Sequence, residues 1–98
     1  MTATPAVVSP GGIVTVTWSG FSTPRLKDWV GRYFVEAGDG AYQDWKYTSS
    51  CGRGVGIGPV SAGSCDFVMP STPGTYQFRL FPDDKYTRLA VSSPVTVR

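Results

Sequence analysis

The sequence predicts an all-β domain, two antiparallel sheets packed face to face and built from about seven short strands. Three observations carry this. Apolar residues alternate with polar ones at period two in several windows, turn residues recur at intervals of about ten, and no window holds a 3.6-residue apolar period long enough for a helix. A lone sheet with one apolar face must bury it against a second layer, so two packed sheets are the economical solution.

The elements follow in chain order. A short edge strand is expected over Ala3 to Val8 and ends at Pro10-Gly11-Gly12. Ile13-Val14-Thr15-Val16-Thr17-Trp18 alternates β-branched and polar residues, putting Val14, Val16 and Trp18 on the buried face. Asp28 to Glu36 and Tyr42 to Thr48 read as strands rich in aromatic and β-branched residues, separated by the turn Ala37-Gly38-Asp39-Gly40. Residues 49 to 63 carry five of the 12 glycines with Pro59 and three serines, and form a loop. Ser64 to Met69 places Cys65, Phe67 and Met69 on one face, and Tyr76 to Phe81 places Tyr76, Phe78 and Leu80 on one face with Gln77, Arg79 and Phe81 on the other. Pro82-Asp83-Asp84-Lys85 turns the chain into a last strand near Arg88 to Val97, interrupted by Pro94.

Ninety-eight residues make one domain, residues 1–98, with room for a single core. The hydrophobic share of 41% against 16% charged excludes a disordered chain. The net charge of +2 comes from scattered basic residues with no run that would follow a phosphate backbone, so nucleic acid is not an expected partner. No apolar stretch reaches the roughly 20 residues of a membrane span, and no membrane partner is expected. No basic region followed by an apolar one opens the chain, and Met1 before Thr2-Ala3-Thr4-Pro5 reads as the start of an excised segment.

Cys51 and Cys65 enclose about 15 residues, a span over which a disulfide contributes roughly 3 kcal/mol in the chain-entropy argument. Two free thiols or half of a zinc site are the alternatives, the latter without any histidine or further cysteine to complete it. The disulfide is the reading adopted, and with it an oxidising, extracellular compartment. As the loop is local, the core is expected to lie elsewhere.

Catalysis is not expected. The chain has no histidine, which removes the commonest general base and the usual triads. A glycosidase pair drawn from the seven carboxylates would need a deep cleft that a small sandwich rarely has. Asp83-Asp84 falls short of the six to eight oxygens of a calcium site and reads as a solvated turn, so no metal or cofactor is expected. Asp28 reads as a carboxylate that accepts neighbouring backbone N–H groups and fixes the start of its strand.

Three stretches carry a family resemblance. Pro73-Gly74-Thr75-Tyr76-Gln77-Phe78 resembles the G-x-Y-x-C run of the immunoglobulin strand F, with Phe78 in place of the cysteine and Tyr76 in the position of the tyrosine corner. Val16 stands where the strand-B cysteine would be, so the usual inter-sheet bond is not implied. Val14 to Gly20, Lys27-Asp28-Trp29-Val30-Gly31 and Tyr76 to Phe81 resemble a superfamily that includes the N-terminal domain of plant purple acid phosphatases, and SKICH domains share the D-W-[IV]-G element. Tyr86-Thr87-Arg88-Leu89-Ala90-Val91-Ser92 looks like the last strand of immunoglobulin-like modules in secreted bacterial hydrolases, some of them carbohydrate-binding modules. The resemblance implies an immunoglobulin-like or fibronectin-III-like sandwich, burying Trp18, Trp29, Tyr76 and Phe78. Arg32 departs from it, standing where relatives carry an aliphatic residue, and a polar group is expected to meet it.

Thirteen aromatic residues exceed what so small a core can hold. Trp45 and Tyr47 share one strand face, with Arg32, Gln77, Arg79 and Lys46 as candidate hydrogen-bond donors and Tyr86 as a further ring. A flat or shallow platform of rings suits a sugar chain, whose C–H faces complement ring faces and whose rims offer hydroxyls. The expectation is a monomeric, secreted carbohydrate-binding module for a β-linked glucan, cellulose or hemicellulose, attached to an adjacent catalytic domain. The other reading is a structural spacer or docking domain with no glycan ligand.

Overall fold

The computed structural model describes all 98 residues and contains strands and turns without a helix. Nine strand segments form two sheets. The smaller has the order β1-β3-β6, from β1 (Thr2–Thr4), β3 (Ile13–Trp18) and β6 (Gly63–Val68). The larger has the order β2-β9-β7-β4-β5, from β2 (Val7–Val8), β9 (Val95–Val97), β7 (Gly74–Phe81), β4 (Trp29–Phe34) and β5 (Asp44–Tyr47). The two-residue β8 (Ala90–Val91) also pairs with β7.

The termini differ from expectation. The anticipated edge strand is two strands in different sheets, β1 antiparallel to β3 and β2 parallel to β9, with a cis Thr4–Pro5 bond between them. Pro5 has no N–H to give a ladder, so the chain leaves one sheet there and joins the other. The last strand is likewise split: Tyr86 to Arg88 lie in a loop, and β9 begins only beyond Pro94. The β3 alternation holds, with Val14, Val16 and Trp18 all buried.

The inter-sheet core joins these residues to Val30, Phe67, Phe78, Leu80, Tyr76 and the end residues Ala3, Val95 and Val97. Cys51 and Cys65 are bonded, with Cα atoms 5.4 Å apart. Cys65 is only 3% exposed and belongs to the core cluster, so the bridge is not remote from the core as its local span suggested. It ties the segment after β5 to the inner face of β6, across the layers. Tyr76 donates its hydroxyl to the Thr72 carbonyl at 2.6 Å, and burial pushes that hydroxyl's pKa up, with nearby Arg32 opposing.

The side of the sandwich where β5 faces β6 is closed by two cations. Arg32 and Lys46 occupy inward positions of β4 and β5, and they donate to the carbonyls of Val68 (2.8 Å) and Asp66 on the unpaired edge of β6. Charged side chains that reach an edge strand from the facing sheet occupy its free carbonyls and hinder pairing with another chain. Asp44 lies 3.7 Å from Arg32 and Gln43 accepts from its Nε at 3.2 Å, which are the polar partners the sequence required. Burial lowers the pKa of this guanidinium while Asp44 opposes the shift.

Candidate functional site

The outward face of the larger sheet carries a second cluster. Alternation along β4, β5 and β7 places Trp29, Tyr33, Trp45, Tyr47, Arg79 and Phe81 on this face, opposite the inter-sheet core. Trp29 is buried, but its burial is here and not between the sheets, as the immunoglobulin pattern would have it. It stacks on Phe81 with ring centroids 4.5 Å apart and donates its indole N–H to the Lys85 carbonyl at 3.1 Å.

The Asp28-Trp29-Val30-Gly31 element now has a reason at each position. Asp28 is buried and accepts from the backbone N–H of Arg25 (2.9 Å) and of Asp83 (3.0 Å), joining its own strand start to the turn after β7. Trp29 enters the outer cluster while Val30 enters the core. Gly31 lies on the outer face, where an added Cβ would stand 2.7 Å from a Tyr33 ring atom and 2.9 Å from a Trp29 ring atom. Only a residue without a side chain lets these rings close over the sheet.

Around Trp29 stand three rings at steep angles. Tyr42 (5.7 Å, 75°), Trp45 (6.4 Å, 80°) and Tyr86 (5.6 Å, 88°) surround it, and Tyr47 meets Trp45 at 4.9 Å and 83°. With Asp84 these five rings line an open pocket of about 210 Å³. Trp45 and Tyr47 do share a face, but they make a corner and not a flat platform. The Tyr47 hydroxyl donates to Asp84 Oδ1 at 2.9 Å; desolvation, then this hydrogen bond and the carboxylate's charge, push its pKa up, so it stays protonated. Asp84 holds its place in left-handed backbone (φ 58°), as does Asp83 (φ 45°), and its other oxygen lies 3.7 Å from Lys27 Nζ. The turn read as merely solvated therefore presents one carboxylate to the pocket.

The anticipated residues divide. Trp45, Tyr47 and Tyr86 line the pocket together. Arg32 points to the opposite face of β4, because it is one residue out of phase with Trp29 and Tyr33. Arg79 is on the pocket's face but only 1% exposed: its guanidinium lies 4.2 Å from the Tyr33 ring centroid, 3.0 Å from Asp39 and 3.1 Å from the Val35 carbonyl. The Gln77 amide lies against this same guanidinium, and in the orientation that satisfies both groups its oxygen accepts from Arg79 Nε and Nη2 at 2.9 Å. Arg79 and Gln77 therefore brace the turn at Asp39, which also takes Arg88 at 2.8 Å. Trp29, Tyr42 and Asp84 are pocket residues that the sequence reading assigned elsewhere or left unplaced. Trp29 stands opposite Tyr47 on the paired strand and Asp84 reaches Tyr47 from the turn after β7, placements set by strand pairing and by no one segment's pattern.

The chain was compared with protein-family models, curated proteins and solved structures, and none of them matches it.

Proposed function

We propose that the domain is a non-catalytic carbohydrate-binding module of a secreted enzyme, and that the five-ring pocket on the outer sheet face is its site. The observation that carries this is the pocket itself. Tyr42 and Tyr86 remain 43% and 51% exposed beside a buried Trp29, an arrangement that leaves ring surface open to a partner. Ring surface complements the apolar C–H face of a pyranose, while the Tyr hydroxyls and the Asp84 carboxylate meet its hydroxyls. A volume of about 210 Å³ is below the roughly 300–1,000 Å³ of pockets for larger ligands, which favours one sugar unit of a β-linked chain over a long buried stretch. The strand order, with the Tyr76 hydroxyl returning to Thr72, supports an immunoglobulin-like or fibronectin-III-like sandwich as the scaffold, and the disulfide supports an extracellular setting. The module works as a monomer joined to a catalytic domain.

Calorimetric titration with β-1,4-linked oligosaccharides of increasing length tests this. Trp45→Ala removes a pocket wall that also roofs the outer cluster but leaves the inter-sheet core intact, so affinity falls by about 2 kcal/mol, roughly thirtyfold in Kd, while the domain stays folded. A parent protein that binds no glycan in a panel of glucans, xylans, mannans and xyloglucan overturns the proposal. The second reading, a docking domain, is favoured by Val55 and Ile57, exposed on the loop before the bonded Cys65. In that case the catalytic partner would bind the isolated domain, and Ile57→Ser would weaken it.

A further inference from the structure

We infer that the pocket selects a cationic saccharide unit, a protonated amino sugar in which an ammonium replaces the C2 hydroxyl. This rests on the saccharide reading and names the ligand class within it. The lining is five aromatic rings and one carboxylate, with no lysine or arginine among them. A neutral sugar needs donors and acceptors around its whole rim. Besides its tyrosine hydroxyls this pocket offers ring surface and one carboxylate with no opposing cation in its lining, which is what an ammonium seeks: ring faces attract a cation within about 6 Å of their centroids, and a carboxylate adds a charge-assisted hydrogen bond.

The chain uses the same chemistry with its own cations, in one case over a ring of the pocket itself. Arg79 lies over Tyr33 at 4.2 Å, Lys46 over Phe67 at 5.1 Å and Arg53 over Trp45 at 5.4 Å. Trp29, Tyr42, Tyr47 and Tyr86 carry no such partner, and they are the rings grouped around Asp84. Two cations stand at the rim. Arg53 is held by Asp44 at 2.8 Å, and Lys27 is 3.7 Å from Asp84 with both side chains about half exposed. An exposed, water-screened pair of that kind exchanges readily for a ligand ammonium. General attraction does not explain such a preference, because the chain's own net charge is +2.

The test uses three β-1,4-linked oligosaccharide series of equal length, built from glucose, N-acetylglucosamine and glucosamine, which share a backbone and differ at C2 alone. Tetramethylammonium chloride serves as a separate probe of the rings. Titrations are run below and above the amine's own titration, near about 8 for an amine of the α-amino kind. The glucosamine series should bind at least about tenfold more tightly than the other two below that pH, and the advantage should vanish above it. Asp84→Asn keeps an acceptor for Tyr47 and a residue that tolerates left-handed backbone, so its melting midpoint should hold while the glucosamine advantage shrinks about tenfold. Equal affinity across the three series overturns the inference and leaves the saccharide reading standing. Tetramethylammonium binding with no oligosaccharide binding overturns the saccharide reading and, with it, the amino sugar. Absence of binding by every probe overturns both.

Discussion

The two faces of β4 and β7 differ in what burial achieves. On the inner face Val30, Phe78 and Leu80 meet Val14, Val16, Phe67 and Trp18 from the other sheet, a mixture of aliphatic and aromatic side chains that fills the space between layers. On the outer face burial is achieved with no second layer: Trp29, Tyr33 and Phe81 cover one another, roofed by Arg79, Trp45 and Tyr47. A strand buried on both faces is expected where layers lie on both sides. Here one of those layers is made of side chains, and it is incomplete over Trp29. The inner face therefore carries stability and the outer face carries the candidate site.

The largest test of this division is Trp18→Ala. Trp18 is 2% exposed in the inter-sheet core, and the lost burial with its residual cavity should cost about 3–5 kcal/mol, read as a fall in midpoint on denaturant unfolding. A variant of parental stability would break the comparison. Next comes the disulfide. Reducing it should cost roughly 3 kcal/mol from the unfolded chain's regained freedom, and more if the two sulfurs leave the core unevenly packed. Thiol titration of the denatured, unreduced protein should find no free sulfhydryl.

Gly31→Ala sharpens the comparison from the other side. The new Cβ meets the Trp29 and Tyr33 rings, so it should cost about 1–3 kcal/mol by overpacking and also weaken ligand binding, because Trp29 is central to the pocket. An inner-face change such as Val16→Ala should lower stability alone. The smallest effect is expected in alkali. Burial, and then the Asp39 carboxylate, hold the Tyr33 phenol well above its ordinary value of about 10, so above that pH the folded chain keeps a proton that the unfolded chain loses. Stability is thus full below about pH 10 and declines as pH rises beyond it, and Tyr33→Phe should flatten that decline. A parallel decline in parent and variant would assign it to other groups.

The two-period pattern was enough to locate β3, β6 and β7 to within a residue or two, because β3 and β6 each have one apolar face and β7 alternates clearly over Tyr76 to Leu80 even though Arg79 and Phe81 are buried on its other face. It was less informative for β4, whose burial runs almost unbroken from Trp29 through Tyr33 and so hides which face is which. The immunoglobulin resemblance puts Trp29 between the sheets, and the donor reading groups Arg32 with Trp45 and Tyr47. The pairing of Gly31 with Trp45 and of Trp29 with Tyr47 corrects both assignments, since cross-strand partners share a face.

The sequence by itself determined an all-β chain, its long strands, its core tryptophan Trp18, its disulfide partners and the shared face of Trp45 and Tyr47. These follow from composition, alternation and counting, which are properties of neighbouring residues. Only the tertiary structure decided that Trp29 turns outward, that Arg32 and Lys46 close the edge of β6, and that Tyr42, Asp84 and Tyr86 meet in one pocket. Those facts depend on strand register and on where two separate loops come to rest, and neither is recorded in the local pattern of any one segment.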